Sequence, residues 1–347
     1  MKEKIRVGIN GFGRIGRCFA RAVLADENSP LDIVLINDLG SVTSMAHLLE
    51  YDSIHGKFSR EVWPAERSLQ ISDKGSPSGH AEIPVSSVAN PSEIPWKDFG
   101  ADIVLEATGK FKTAADAEGH LSAGAGLVII SAVPADSGVK TLVMGANQEL
   151  LTPEDRIISN ASCTTNCAAP MVEIIDRICG VESGYITTVH SYTGDQTLHD
   201  TAHRDLRRAR AAALSIIPTS TGAAKAITKI FPRLDGKLGG AGIRVPVPNG
   251  SLTDITFHVR KPQAAEALNE IFRQEAESGP WRGYLEYTEK PLVSIDIIGN
   301  PHSCVFDALL TSVIGNTVKV VGWYDNEMGY TRRLIDLILF RQGLPGV

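Results

Sequence analysis

The run Ser159-Asn160-Ala161-Ser162-Cys163-Thr164-Thr165-Asn166-Cys167 sets a cysteine among hydroxyl residues at what reads as a helix start. A helix start offers free backbone N–H groups and a partial positive charge. Both favour a thiolate, so Cys163 is a candidate nucleophile. Two plainer fates compete: a small core thiol, the commoner fate of cysteine, and a metal ligand. Cys163 and Cys167 lie four apart, but no further Cys or His pair stands at zinc-like spacing, so no metal site is expected. Cys167, one turn deeper, reads as structural. A cysteine nucleophile needs a base. His190 ends the strand-like Ile186-Thr187-Thr188-Val189 and opens a polar loop. Spacing alone leaves it balanced between a base and a structural histidine.

A second chemistry lies upstream in Gly11-Phe12-Gly13-Arg14-Ile15-Gly16. In a dinucleotide loop the first glycine allows the tight turn, the second lets backbone approach a pyrophosphate, and the third permits close helix–strand packing. These roles fall to Gly11, Gly13 and Gly16, and the helix start then faces the phosphates. The loop alone is weak. Here it follows a strand, opens a helix, and precedes Asp38 at the end of a second strand, 22 residues beyond Gly16. That is close to the spacing of a ribose-binding acid. A cofactor loop plus an activated thiol suggests oxidation of an aldehyde through a thioester.

Cationic and hydroxyl residues supply candidates for anion binding. Arg204, Arg207, Arg208 and Arg210 form a basic cluster, read either as a solvated face or subunit contact, or as phosphate recognition. Arg244, between Gly242 and Pro246, is more isolated. Thr219-Ser220-Thr221-Gly222 offers hydroxyls and a glycine amide, a plausible oxyanion or phosphate cradle. Each is weak alone.

These residues need elements to hold them. Residues 5–10 read as a buried strand, 17–25 as a helix and 31–37 as a second strand, a βαβ unit. Residues 41–50 look helical. Residues 56–90 read as irregular and β-rich, with turns at 73–75 and 77–79. Residues 103–106 and 127–131 are short apolar runs expected as parallel strands. Beyond Cys163, residues 185–190, 252–259, 292–297 and 317–323 read as longer strands, suggesting a mixed or antiparallel sheet. Thr253, Ile255, Phe257 and Val259 line one face of the second of these. Residues 331–340 read as an amphipathic helix. The expectation is an α/β chain, with a Rossmann dinucleotide-binding domain over 1–162 and an α+β catalytic domain with a mixed or antiparallel sheet over 163–325.

At 347 residues and 43% hydrophobic content, the chain suffices for two sizeable cores. The net charge of −6 argues against nucleic acid as the main partner, which would favour a basic face. Five cysteines without disulfide-dense spacing fit a reducing cytoplasm. Met1-Lys2-Glu3-Lys4 runs straight into the first strand without a signal-like apolar region. The apolar runs are too short for a bilayer, so no membrane partner is expected.

Taken together, residues 10–17 and 159–167 resemble phosphorylating glyceraldehyde-3-phosphate dehydrogenases. So do Thr188-Val189-His190-Ser191-Tyr192-Thr193, the stretch 205–225, Ile243-Arg244-Val245-Pro246 and Trp323-Tyr324-Asp325-Asn326-Glu327. The resemblance implies Cys163 as nucleophile and His190 as its base. It implies Thr193 and Arg244 for the phosphate of glyceraldehyde 3-phosphate. Ser162, Thr164, Thr221 and Gly222, with Arg208 nearby, would take inorganic phosphate. Arg14, Ile15 and Asp38 would hold the adenosine half of NAD, and Ser131 and Asn326 the nicotinamide side. A homotetramer is implied, with residues 192–215 near a neighbouring subunit's cofactor. So are a helix at 326–347 returning to the first domain, and a place in glycolysis or gluconeogenesis. Thr201-Ala202-His203 stands where strictly NAD-dependent members commonly read Leu-Pro-His, while Asp38 would repel a 2′-phosphate. NAD use with NADP as a second coenzyme is the expectation. Erythrose-4-phosphate dehydrogenase and a non-enzymatic nucleotide- or RNA-binding role are the alternatives. The Cys163/His190 pair argues against pure binding.

Overall fold

The computed structural model of the chain describes residues 3–73 and 81–344. The turn expected at 77–79 lies outside them, as does most of that at 73–75. The described residues form two compact units. One comprises residues up to Leu142, Leu151–Asn160 and the chain from Leu334 onward. The other comprises Val143–Leu150 and Ala161–Arg333. Among the described residues, no helix is long and apolar enough to cross a membrane.

The first unit is built on β1 (Ile5–Asn10), α1 (Arg14–Ala25), β2 (Leu31–Asn37) and α2 (Val42–Glu50). A small hairpin, β3 (Tyr51–Asp52) with β4 (Gly56–Lys57), follows. Then come β5 (Glu61–Pro64), β6 (Ser68–Ser72), β7 (Ala81–Ser86), β8 (Ile103–Glu106), α3 (Ala114–Ser122), β9 (Leu127–Ile130), β10 (Lys140–Thr141) and β11 (Ile157–Ser159). Among the described residues the sheet runs β10-β11-β9-β8-β1-β2-β7-β6-β5. It is parallel from β10 to β7, and β6 and β5 add antiparallel at one edge. β8 and β9 are buried at every position, which explains their apolar runs, broken only by Glu106 at the end of β8. Val34, Leu35, Trp96, Val104, Val128 and Ile130 belong to one core cluster. The chain order reverses on either side of β1, and ligands of open α/β sheets bind at that switch, outside the carboxyl ends of the strands. α1 starts at Arg14, three residues before the expected Arg17, because Gly13 already serves as its N-cap.

The second unit opens with α4 (Cys163–Cys179), which packs against four later strands. Next are β12 (Val181–Ser191), β13 (Ile217–Thr219), α5 (Ala223–Ile230), β14 (Leu238–Val245), β15 (Ser251–Val259) and α6 (Ala265–Glu277). β16 (Leu285–Thr288), β17 (Cys304–Asp307), β18 (Ser312–Ile314) and β19 (Thr317–Tyr324) complete its sheet. The described order is β13-β14-β12-β15-β19-β17-β16, with β18 beside β19. β12–β14 and β16–β17 are parallel and the remaining pairs antiparallel, so the sheet is mixed. Along β15 the buried residues alternate through Thr253, Ile255, Phe257 and Val259. α4 lies on the core side, against β15 and β19. Phe272 of α6 stacks on Phe306 of β17 with ring centroids 3.8 Å apart.

One expected strand is absent. Ser294–Ile297 forms a 3-10 turn. Its apolar residues do not alternate into a core, since Val293 and Ile295 are exposed. The Val293 N–H donates to the Asp296 carboxylate at 2.9 Å, closing the turn locally. The final helix, α7 (Met328–Gln342), begins before the expected Thr331, and its part from Leu334 belongs to the first unit.

Candidate active site

The two units each present a site. In the first, β1 ends at the Gly11–Gly16 loop. Gly11 has φ +93°, and a Cβ there would stand 2.7 Å from the Thr108 nitrogen. A Cβ at Gly16 would meet the Gly11 carbonyl oxygen at 2.3 Å. Nothing lies within 4 Å of a Cβ position at Gly13, so the loop leaves open space where a pyrophosphate has to come close. A cleft of about 300 Å³ opens there, lined by Asn10, Gly11, Gly13, Asp38, Leu39 and Thr108 among others. Asp38 ends β2. Its carboxylate accepts the Phe12 N–H at 2.7 Å and the Gly40 N–H at 2.8 Å, which holds it at the rim. These features fit a dinucleotide: a turn without side-chain bulk, a helix start and an acid at the second strand.

Arg14 behaves otherwise than its side chain suggested. Its guanidinium forks onto Asp52 at 2.5 and 3.1 Å. Burial by itself would raise the Asp52 pKa. The Arg14 guanidinium and the His55 and Ile54 N–H groups more than offset this, holding the carboxyl well below its usual range. The Arg14 guanidinium therefore braces α1, and its backbone, with that of Ile15, lies in the helix's first turn.

Sequence reasoning missed the buried network that holds two lining residues of this cleft, Asn10 and Thr108. Glu106, 1% exposed, accepts from Asn10 Nδ2 at 2.5 Å and the Thr108 N–H at 2.8 Å. The Trp96 indole N–H donates to His120 Nδ1 at 3.0 Å, and His120 Nε2 lies 3.2 Å from Glu106. Since indole can only donate, the network assigns the proton to His120 Nε2, which donates to Glu106. The available signal was an acid closing an otherwise apolar strand, Ile103-Val104-Leu105-Glu106. Ser131 follows β9, and its N–H donates to the Glu106 carbonyl at 2.9 Å.

In the second unit Cys163 is the first residue of α4. Ser162 caps the helix, its Oγ accepting the Thr165 N–H at 3.1 Å. Ala161 enters this cap at φ +55°, the one positive φ among described non-glycine residues. Such a conformation disfavours any residue with a Cβ. The buried Tyr330 hydroxyl donates to the Ala161 carbonyl at 3.2 Å and helps hold it. His190 sits opposite Arg244 across the parallel β12–β14 pair, so both side chains leave the same face. Cys163 Sγ lies 3.5 Å from His190 Nε2. His190 Nδ1 lies 2.7 Å from the Ser191 carbonyl, and Arg244 Nη1 donates to that carbonyl at 3.0 Å and to Thr193 Oγ1 at 3.1 Å. Arg244 Nη1 also lies 2.9 Å from His190 Nδ1. In the tautomer whose Nδ1–H donates to the Ser191 carbonyl, Nε2 presents a lone pair to the thiol.

The electrostatics correct the expectation of a thiolate from helix geometry alone. Burial pushes the Cys163 thiol up to about 11, against the pull of the Arg244 cation and the Thr164 N–H. Burial and Arg244 together push His190 down to about 3. The resting pair is a neutral thiol facing a neutral imidazole. Transfer of one proton over this contact yields the nucleophile without changing the site's net charge.

Arg208 comes to the same face through Asp195, a residue sequence reasoning did not select. The Asp195 carboxylate accepts from both Thr193 Oγ1 and Arg208 Nη1. Arg208 Nε also donates to Thr219 Oγ1 at 3.0 Å. Gly222 is the N-cap residue of α5, and Thr221 Oγ1 accepts the Ala223 N–H at 3.2 Å. The Thr164 hydroxyl is buried against the Tyr324 hydroxyl at 2.9 Å, which also meets Thr188 Oγ1 at 2.8 Å. What Thr164 offers an anion is therefore its backbone N–H. The Asn326 carboxamide oxygen accepts from Ser191 Oγ at 2.8 Å and Ser251 Oγ at 3.0 Å, which fixes its orientation.

Comparisons with known proteins agree with this division of labour. Residues 5–114 match the family model described as glyceraldehyde 3-phosphate dehydrogenase, NAD binding domain. Residues 162–326 match the model described as glyceraldehyde 3-phosphate dehydrogenase, C-terminal domain. The chain is 51% identical over 336 residues to glyceraldehyde-3-phosphate dehydrogenase 1 of Streptomyces avermitilis, covering 96% of this chain and 98% of the relative. It is 52% identical over 334 residues to glyceraldehyde-3-phosphate dehydrogenase 2 of Streptomyces arenae, covering 96% and 97%. A Mycobacterium avium glyceraldehyde-3-phosphate dehydrogenase is 50% identical over 338 residues, covering 96% and 97%. With a glycine-rich loop in one unit and a cysteine–histidine pair beside a partly buried arginine in the other, the chain belongs to the glyceraldehyde-3-phosphate dehydrogenase family.

Proposed function

We propose that this chain oxidises glyceraldehyde 3-phosphate to 1,3-bisphosphoglycerate through a thioester on Cys163, with His190 as the base. The observation that carries the reading is the 3.5 Å approach of His190 Nε2 to Cys163 Sγ, with Arg244 on the other side of the ring. Nε2 takes the thiol proton as sulfur adds to the aldehyde carbon. Protonated His190 gives that proton to the alkoxide so formed, and then takes the hydroxyl proton back as hydride leaves. When bound, NAD supplies the hydride acceptor, and Gly11, Gly13, Gly16 and Asp38 hold it. Phosphate adds to the thioester carbonyl and the Cys163 thiolate leaves, giving the acyl phosphate. Thr193 and Arg244 take the substrate's own phosphate. Ser162, Thr221, Gly222, Arg208 and the Thr164 N–H take the attacking one. Holding both anions supplies the proximity advantage.

Asp38 makes NAD the preferred coenzyme, because a 2′-phosphate would meet its carboxylate. The small residues Gly40 and Ser41 beside it leave NADP a weaker second coenzyme. A homotetramer in the cytoplasm completes the reading. Leu198, Leu206, Leu214 and Ile216 are strongly exposed on the 192–216 segment, as suits a surface covered by a second copy.

The test is absorbance of reduced nicotinamide with glyceraldehyde 3-phosphate, using NAD and NADP in turn, with and without phosphate. Phosphate-dependent turnover, faster with NAD, is expected. Cys163→Ser should abolish turnover and leave NAD binding intact. Turnover retained in that variant would refute the thioester route.

A further inference from the structure

The side chains assigned to two phosphates already share an anion. The Asp195 carboxylate accepts from Thr193 Oγ1 with one oxygen and from Arg208 Nη1 with the other. Arg244 donates to the same Thr193 hydroxyl. Asp195 thus bridges one residue of each phosphate set. Burial by itself would raise its pKa, but Thr193, Arg244 and Arg208 more than offset this, so it stays ionised. Arg208 has a second carboxylate, Asp205, at 3.6 Å, and Asp205 also accepts from Thr219 at 3.0 Å. That second pair keeps Arg208 oriented when Asp195 lets go. Asp195 itself is the more exposed member of its pair, its side chain 45% accessible against 17% for Arg208.

We propose that Asp195 is an internal competitor for phosphate. Its carboxylate occupies the donors of Thr193 and Arg208, must be displaced when the anions arrive, and returns to help expel the doubly phosphorylated product. This rests on the reading that Thr193, Arg208 and Arg244 bind phosphates. A carboxylate and a phosphate dianion cannot share one guanidinium edge without repulsion, and each charge-assisted bond the incoming anion makes replaces one already made. Asp195 therefore sets how weakly phosphate is held, which tunes the site to its working concentration.

The experiment is steady-state turnover of the full-length enzyme with varied inorganic phosphate and varied glyceraldehyde 3-phosphate, for the wild type, Asp195→Asn and Asp195→Ser. The expected result is a phosphate KM lowered about tenfold in both variants, the size of one lost charge-assisted competitor. The KM for glyceraldehyde 3-phosphate should fall as well, and kcat should fall if product release becomes slower. A residue that merely braces Arg208 would move the phosphate KM upward when removed, so an unchanged or raised KM would overturn the proposal. A crystal structure of the wild type soaked in inorganic phosphate tests it without a variant. Asp195 should have left Arg208, and phosphate seated on Arg208 with the pair still formed would count against it. A wild type without phosphate-dependent turnover would overturn the underlying reading and the proposal with it. A phosphate-dependent wild type with unmoved variants would overturn the proposal alone.

Discussion

His190 and Arg244 stand at paired register positions, and their effects should separate kinetically. In the proposed reaction His190 acts as base through Nε2, which faces Cys163, while its Nδ1 lies at the Ser191 carbonyl. With His190 near 3 and Cys163 near 11, neither group titrates alone through neutral pH, and one proton rests on sulfur. Replacing the base removes its contribution to the chemical steps. His190→Asn should lower kcat by about 10²–10⁴-fold, the usual range for a general base, with a small change in the KM for glyceraldehyde 3-phosphate. Arg244→Leu should do the reverse. It removes a partly buried cation from the proposed phosphate site and should raise that KM by about tenfold or more, the loss of at least one charged hydrogen bond. Steady-state kinetics on both variants checks the pair. A large KM effect in the histidine variant would contradict the division of roles.

Element boundaries and the glycine loop show what the sequence makes legible and what it does not. The parallel sheet was readable because strands buried on both faces are continuous apolar runs, as in Leu127–Ile130. Alternation revealed β15 for the complementary reason. The run 292–297 misled because an apolar stretch in one chain can serve an exposed surface, and a single Asp296 bond closes it into a turn. The Cys163 helix start and the dinucleotide loop were legible because their chemistry is local. Asp195, Glu106 and His120 were not, because what distinguishes them is partners brought close by the fold. The loop also separates two glycines that look alike in sequence. Gly16→Ala forces a Cβ to 2.3 Å from the Gly11 carbonyl and should cost about 1–3 kcal/mol of stability, the usual penalty for overpacking. Gly13→Ala finds open space, so it should leave the thermal midpoint unchanged and weaken NAD binding, by about tenfold for about 1.4 kcal/mol of lost contact. Thermal melts paired with calorimetric NAD titrations distinguish the two. Equal melting losses in both variants would mean the loop is packed, not open.

At the scale of the whole molecule, the apolar surface of residues 198–216 predicts association. Leu206 and Leu214 are 82% and 81% exposed, far more than a lone chain would leave uncovered on one segment. Light scattering on the wild type should give a four-chain mass, and Leu206→Asp should shift it toward smaller species, because a charge at a buried contact is costly. A wild type that scatters as one chain would remove the tetramer from the reading.

The interleaving of the two units has a consequence for biosynthesis. The nucleotide-binding unit takes in residues up to Leu142 but also the chain from Leu334 onward, where the Arg341 guanidinium donates to the Pro153 carbonyl at 2.6 Å. A ribosome delivers residues in order, and domains generally fold as units during synthesis. Here the first unit to emerge waits on residues made after Arg333, while the catalytic unit, closing at Arg333, has its whole complement sooner. The nascent chain therefore passes through a stage in which the thiol-bearing half is complete and its coenzyme-binding counterpart is not.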